Sequence, residues 1–389
     1  MSTDLNMEYQ EVKFGDICRE VKLTTKDPIA DGYDKYIGLE HLDSGSLKIK
    51  RWGLIAEDNP TFTRVFKKGH ILIGKRRPYL KKAAIAEFDG ICSSDIIVVE
   101  ASNNQLFKKI LPFLIQSEKF WNWAIKTSNG SLSPRTKFKD IQELKLLIPK
   151  DISVTNFYAE LLSKTEECIE KASLSHEAFK LFKNNLSENL LEGKERIPGY
   201  KNDWKKKKLK DLGVFLRGLT YSPSDVTDNT YALLVLRSSN IKDGLLTLDD
   251  NVYVDNEGLQ ANLVKKNDIL ICVRNGSKHL IGKTALINED IYATHGAFMS
   301  LYRTEYSQYI YHLFQTKRYK ELVSMNLGAT INSINGSDLE NFSFFVPEKS
   351  EMDAISKKLS LYDDVDKSLH NKCINLINLR NNLVNQYLG

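Results

Sequence analysis

Two stretches carry side chains able to grip a polyanion and read its bases. GKRRPYLKK runs from 74 to 82, and CVRNGSKHLIGK from 272 to 283. Arg76, Arg77, Arg274 and Asn275 suit paired hydrogen bonds to guanine or adenine edges, because a guanidinium or carboxamide offers two groups at the spacing of a base edge. Lys75, Lys81, Lys82, Lys278 and Lys283 suit phosphates, which ask for charge more than direction. Arg237, Ser238, Ser239 and Asn240 form a further polar cluster where the first half has Glu40 and His41. Such divergence is what two different base readings require. Loops SNGSLSPRTK at 128–137 and LGATINSING at 327–336 combine small residues with hydroxyls and amides, and Ser131, Arg135 and Thr330 are their candidates for close approach to phosphate or base.

Catalytic patterns are missing. DNPTF at 58–62 has Thr61 where the NPPY loop of an adenine methyltransferase needs a second proline, and no Gly-rich turn accompanies it. GKT at 282–284 has Ser277 where a P-loop needs its first glycine. No HExxH, GxSxG or EF-hand loop occurs, and the seven histidines are scattered. The residues argue for binding without catalysis and without a metal site. Five cysteines, odd in number and widely spaced, are expected to be buried thiols. The chain has no run of eighteen apolar residues, and MSTDLNMEYQEVKFGD lacks a basic region followed by an apolar one, so a cytoplasmic protein with no membrane partner is expected. Net charge is only +5, yet Arg64 to Lys82 holds eight cations and no acid, and KKKKLK follows at 205–210. Two such runs beside strand-like segments point to a polyanion.

The elements that must position these residues come in two copies. At an offset of 195 to 200 residues, FGDI (14–17) meets LKDL (209–212), and KKGHILI (67–73) meets KKNDILI (265–271) with five identities in seven. NGSLSPRTKFKDIQELKLLIP (129–149) meets LGATINSINGSDLENFSFFVP (327–347), and KNNLSENLLEG (183–193) is echoed by RNNLVNQYLG (380–389). The spacing predicts a tandem duplication. HILIGK, DIIVVE, LKLLIP, YALLVLR, DILICVR and FSFFVP read as strands between turn-rich stretches, with short helices over 105–126 and 306–325: an α+β pattern of mixed sheets. Each copy closes on a long helix free of proline and glycine. In the first, Val154, Tyr158, Leu161, Thr165, Cys168, Ala172, Ser175, Phe179, Phe182 and Leu186 recur at coiled-coil steps. In the second, Ile355, Leu359, Tyr362, Val365, Leu369, Cys373, Leu376, Leu379 and Leu383 do so. The two stripes are expected to bury each other; the alternative is that each helix packs on its own globular part. With a pseudo-twofold relation, two basic modules could face successive parts of a DNA duplex.

The junction NNLSENLLEGKERIPGYKNDWKKKKLKDLG (184–213), together with YIGLEHLDSG (36–45), the KK..ILI strands, RGLTYSP (217–223) and GATINSINGSDLENFSFFVP, resembles the specificity (S) subunit of type I restriction-modification systems. The resemblance spans nearly the whole chain. It implies two target recognition domains, 1–150 and 197–347, separated by two long antiparallel helical spacers, 151–196 and 348–389. It adds Arg217, Thr220 and Tyr221 of RGLTYSP as DNA-binding candidates, whereas the first half offers REVKLTTKDP (19–28) in place of that motif. It implies a bipartite, asymmetric double-stranded DNA site, two modification (M) subunits carrying S-adenosylmethionine and methylating adenine, and restriction (R) subunits using ATP and magnesium. The chain itself would bind no cofactor. A DNA-binding adaptor of another defence or regulatory system, or a self-contained DNA-modifying enzyme, are the alternatives.

Overall fold

The computed structural model describes residues 8–255, 260–327 and 332–388. The chain divides into two compact units, one formed by residues 1–174 with 370–389 and the other by 175–369.

In the first unit, ILIG is apolar at every position, the pattern of a strand covered on both faces. It forms the strand Ile71–Gly74, paired antiparallel with Ala83–Ile85 and with Ile96–Ala101, and Cys18–Glu20 completes the sheet. Ile71 and Ile73 enter one core with Phe14 and Trp121, and Leu72 enters another with Ile37 and Phe66. That division follows from the two-residue period of a strand. A second sheet orders Gly53–Leu54, Lys35–Ile37, Gly90–Cys92 and Arg64–Phe66; Lys35–Ile37 runs parallel to Gly90–Cys92, so this sheet is mixed. Helices Gln105–Gln116 and Glu118–Lys126 cover the first core, and Tyr9–Lys13 pairs antiparallel with Lys145–Pro149.

The second unit repeats this plan. Ile269–Cys272 lies between Thr284–Leu286 and Met299–Arg303, with Val214–Arg217 at the edge. Ile269 and Ile271 join a core with Tyr302, while Leu270 and Cys272 join another with Leu236 and Leu301. Leu233–Leu236 runs parallel to Ala293–His295, and Lys205–Lys208 pairs antiparallel with Ser343–Val346. Equivalent positions do the same work in both copies, whether the residue is kept, as Asp16 and Asp211, or changed, as His70 and Asp268. The Lys13 amide donates to Asp16 Oδ2 at 3.1 Å and the Lys208 amide to Asp211 Oδ2 at 2.9 Å. The Lys67 amide donates to His70 Nδ1 at 3.1 Å, and the Lys265 amide to Asp268 Oδ2 at 2.9 Å.

The long helices are Ile152–Leu191 and Lys349–Tyr387, each about 60 Å of α-helix. Asp151 opens the first by accepting the Ser153 amide at 2.8 Å. Gly193 ends it at φ +71°, where an added Cβ would meet the Trp204 ring at 3.3 Å. Trp204 is itself held: its indole N–H donates to Glu351 Oε2 at 3.2 Å, and Arg196 grips the same buried carboxylate with Nε at 2.7 Å and Nη2 at 2.8 Å. The junction residues of the sequence thus form one knot.

Within the first unit Tyr158 stacks on Tyr387 with ring centres 4.0 Å apart, and Arg380 Nη1 donates to Glu166 Oε1 at 2.7 Å. Within the second, His176 Nε2 lies 2.9 Å from Asp366 Oδ1, and Lys183 pairs with Asp366 and, at 3.1 Å, with Asp363. In each unit the partner's number falls as the residue's number rises, so the helices run antiparallel there. The expected stripes need correction. Tyr158, Thr165, Ala172, Phe179 and Leu186 turn wholly or partly inward, but Leu161, Cys168, Ser175 and Phe182 are exposed, and Leu162, Ile169, His176 and Lys183 beside them are covered. On the second helix Val365 and Leu379 are exposed while Asp366 and Arg380 turn inward. A charged side chain holds an inward position when an opposite charge meets it there, so part of the pairing is ionic where an apolar seam was expected. Cys168 also departs from the expectation of buried thiols; the other four cysteines are buried, and burial pushes Cys92 up to about 12 and Cys272 up to about 11.

Candidate nucleic-acid interface

In the first unit the basic stretch is the loop joining Ile71–Gly74 to Ala83–Ile85. It is sewn to the loop at 128–137. The Arg77 amide donates to the Pro134 carbonyl at 2.7 Å, the Thr136 amide to the Lys75 carbonyl at 3.0 Å, and Arg76 faces Arg135 across a β-bridge. Arg77 and Lys81 sit at φ +54° and +48°, left-handed conformations uncommon for such side chains. Asp95 lies under both arginines, accepting from Arg135 Nε at 2.9 Å and lying 3.7 Å from Arg76 Nη1. The hydrogen bond to Asp95 raises the Arg135 pKa.

The second unit hangs its loop in the same way. The Asn275 amide donates to the Asn332 carbonyl at 3.2 Å, the Ile334 amide to the Val273 carbonyl at 2.9 Å, and Arg274 faces Ser333 across a β-bridge. Asn332 Nδ2 donates to the Gly276 carbonyl at 2.9 Å. The Arg274 guanidinium lies over the Phe298 ring, 4.9 Å from its centre.

Each hairpin loop is also tied to a 3-10 turn, Leu39–His41 or Ser238–Asn240. Lys82 Nζ donates to the Leu39 carbonyl at 2.7 Å, and Asn275 Nδ2 to Ser238 Oγ at 2.9 Å. Within the turns, His41 Nδ1 accepts the Gly38 amide at 3.0 Å and Asn240 Oδ1 accepts the Arg237 amide at 2.8 Å. Asn240 is 0% exposed, and its Nδ2 donates to the Thr247 carbonyl at 3.0 Å. It fastens the turn, as His41 does, and is withdrawn as a base reader. Burial lowers the His41 pKa, which suits its role as an acceptor.

The other expected residues divide by what already holds them. Arg76, Arg77, Ser131, Arg135, Arg217, Thr220, Arg274 and Lys278 are exposed, and Lys75, Lys283, Tyr221, Arg237 and Ser238 are half-buried. Lys81 pairs with Glu118 at 2.6 Å, Lys82 is committed to Leu39, and Arg237 pairs with Asp250 at 2.9 Å. Ser239 Oγ is buried and has no hydrogen-bond partner. Leu219 of RGLTYSP bridges to Gly296, placing that segment beside the turn between Ala293–His295 and Met299–Arg303 that carries Phe298. Thr330 lies outside the described residues. The run from Arg64 to Lys82 is less free than its composition implies, because Arg64 pairs with Glu20 at 3.1 Å and Lys67 with Asp89 at 2.9 Å. Lys205–Lys208 forms a strand exposed along its length. Asp95, Phe298 and Asn332 were not among the expected residues; laying the second copy on the first at DIIVV and FMSLY would have exposed the unlike pair Asp95 and Phe298.

Among the described residues no three His, Cys, Asp or Glu side chains cluster as metal ligands, and no helix is long and apolar enough to cross a membrane.

A family model described as the type I restriction modification DNA specificity domain matches the chain twice, over residues 6–173 and 201–379. The chain is 28% identical over 164 residues to the type I restriction enzyme EcoKI specificity subunit of Escherichia coli (strain K12), a match covering 40% of this chain and 35% of that protein. It is 27% identical over 174 residues to the StySPI specificity subunit of Salmonella potsdam, covering 42% and 37%. These matches span little more than a third of either relative. Among solved structures, the S subunit of a type I restriction-modification system from M. genitalium superposes with TM-score 0.59 at 12% identity, covering 100% of this chain and 98% of that one. A chain from a type I R-M system studied for complex assembly and conformational transition gives 0.58 at 18% identity, covering 97% and 96%. These two likenesses are of fold.

Proposed function

The chain belongs to the type I restriction-modification DNA specificity family, and from that premise we propose that it is a specificity subunit, reading a bipartite, asymmetric double-stranded DNA site with one unit on each part. The observation that carries this reading is the twice-built loop pair. One frame of backbone hydrogen bonds presents Arg76, Arg77 and Arg135 in the first unit and Arg274, Asn275 and Ser333 in the second. Different donors in one frame suit different base edges, while Lys75, Lys278 and Lys283 supply charge for phosphates. Arg217, Thr220 and Tyr221 extend the second surface.

In this reading the target recognition domains are residues 1–150 and 197–347, and the helical spacers 151–196 and 348–389 seat two modification subunits. Those subunits hold S-adenosylmethionine and methylate adenine; restriction subunits use ATP and magnesium to translocate and cleave. This chain supplies the address in the cytoplasm and binds none of these cofactors. The test is to map adenine methylation on genomic DNA in cells holding the modification subunits, with and without this chain. Methylation at a single two-part motif that appears only with the chain is the expected result. A pattern indifferent to the chain refutes the reading.

A further inference from the structure

Strand register makes Asp95 and Phe298 the same position in two copies. Gly74 pairs with Ile96, and Cys272 with Met299, so Asp95 and Phe298 each immediately precede the partner of the last hairpin residue before the loop. Their backbones act alike: the Lys75 amide donates to the Asp95 carbonyl at 2.8 Å, and the Val273 amide to the Phe298 carbonyl at 3.0 Å. Both side chains then reach the equivalent arginine, Arg76 in the first unit and Arg274 in the second. Here the chemistry parts. A carboxylate takes guanidinium donors edge-on and sets a negative charge beside the reading surface. An aromatic ring holds the guanidinium by its face, leaving the in-plane N–H donors open and adding no charge. Phe298 is 56% exposed, so its ring lies at the surface together with the exposed guanidinium it holds.

Resting on the DNA-reading role proposed above, we infer that this strand-end residue, Asp95 in one unit and Phe298 in the other, is the positioning residue for the arginine that reads the adjoining half-site. Asp95 restrains Arg76 and Arg135 from one side and keeps them off the phosphates. Phe298 pre-orders Arg274 with all its donors available for a base edge, which reduces the ordering loss on binding.

The experiment uses the full chain assembled with its modification subunits and a pool of duplexes randomised across both half-sites. Selected sequences and the salt dependence of binding are read for wild type, Asp95→Asn, Phe298→Leu and Phe298→Tyr. Asp95→Asn releases two guanidinium groups, so non-specific affinity rises, the log–log salt slope steepens by about one phosphate contact, and discrimination falls in the first unit's half-site alone. Phe298→Leu keeps the bulk and loses the ring, so discrimination in the other half-site falls by about 2- to 5-fold with an unchanged salt slope; Phe298→Tyr restores it. A residue that merely props the loop would weaken all sequences alike and leave the selected bases unchanged, and that result overturns the inference. Unaltered selection and slope in Asp95→Asn and Phe298→Leu overturns it too. A wild-type complex that selects no sequence overturns the DNA-reading role itself, and this inference with it.

Discussion

Glu166→Ala strips the buried guanidinium of Arg380 of its carboxylate. Arg380 is 2% exposed, and beyond Glu166 its donors meet the Gly45 carbonyl at 2.9 Å and Asn381 Oδ1 at 2.8 Å. Unpairing a buried ion costs about 3–5 kcal/mol. Glu166 itself keeps 19% of its side chain in water and two neutral acceptors survive the change, which places the loss near the lower end, about 3 kcal/mol. For a unit of this size that lowers Tm by roughly 6–12 °C. Replacing both partners, Glu166→Leu with Arg380→Met, removes the desolvated charges together and recovers most of the loss. Urea unfolding followed by tryptophan fluorescence measures both, since Trp52, Trp121 and Trp123 all lie in the first unit. A single variant within about 1 kcal/mol of wild type would place the pair among ordinary surface bridges. A double variant as unstable as the single would remove the argument from unpaired charge.

Burial lowers His295 to about 4, so the folded second unit keeps it neutral while the unfolded chain protonates at about 6.5. Its contribution is full above the unfolded pKa and is lost as pH falls toward the folded one, amounting to about 2 kcal/mol less stability at about pH 5 than at neutrality. His41, His70 and His312, each lowered mainly by burial, act in the same direction; His295→Gln should flatten the pH dependence of the urea midpoint. Asn240→Ala destabilises its loop by about 1–2 kcal/mol and weakens all DNA sequences alike, whereas His41→Asn is tolerated within about 1 kcal/mol; unfolding and duplex selection check both. Four residues inserted into Ile152–Leu191 lengthen that helix by about 6 Å, nearly two base-pair steps of about 3.4 Å. Methylation mapping should then show a changed gap between unaltered half-sites, and an unchanged gap contradicts a ruler role for the helix.

Much of this architecture was legible because the chain states it twice. The ILI strands, the loops beyond them and the long helices all carry local signals: apolar runs, turn residues, an absence of proline and glycine. What escaped was whatever depends on a partner far along the chain. An apolar-stripe reading favours Leu161, Phe182 and Leu379, whereas the covered positions go to Leu162, Lys183 and Arg380. Lys183 and Arg380 turn inward because Asp363, Asp366 and Glu166 meet them, and nothing within either helix announces that. The type of Asn240 permits base reading; only the closure of the 3-10 turn shows that its amide is occupied. Asp95 lies well beyond the basic run, a single acid before the IIVV strand, and nothing local marks it as the partner of Arg76 and Arg135.

Strands Ile71–Gly74 and Ile269–Cys272, covered on both faces, anchor the start of each basic loop. Amides there should be among the last in the molecule to exchange with heavy water. A segment moored to so immobile a stem can change at its exposed positions, Arg76, Arg77 and Arg135, without disturbing the foundations, much as a key blank accepts new teeth. If the proposed reading role holds, grafting 75–82 and 128–137 together with residue 95 as one cassette should change the bases selected in the first unit's half-site alone.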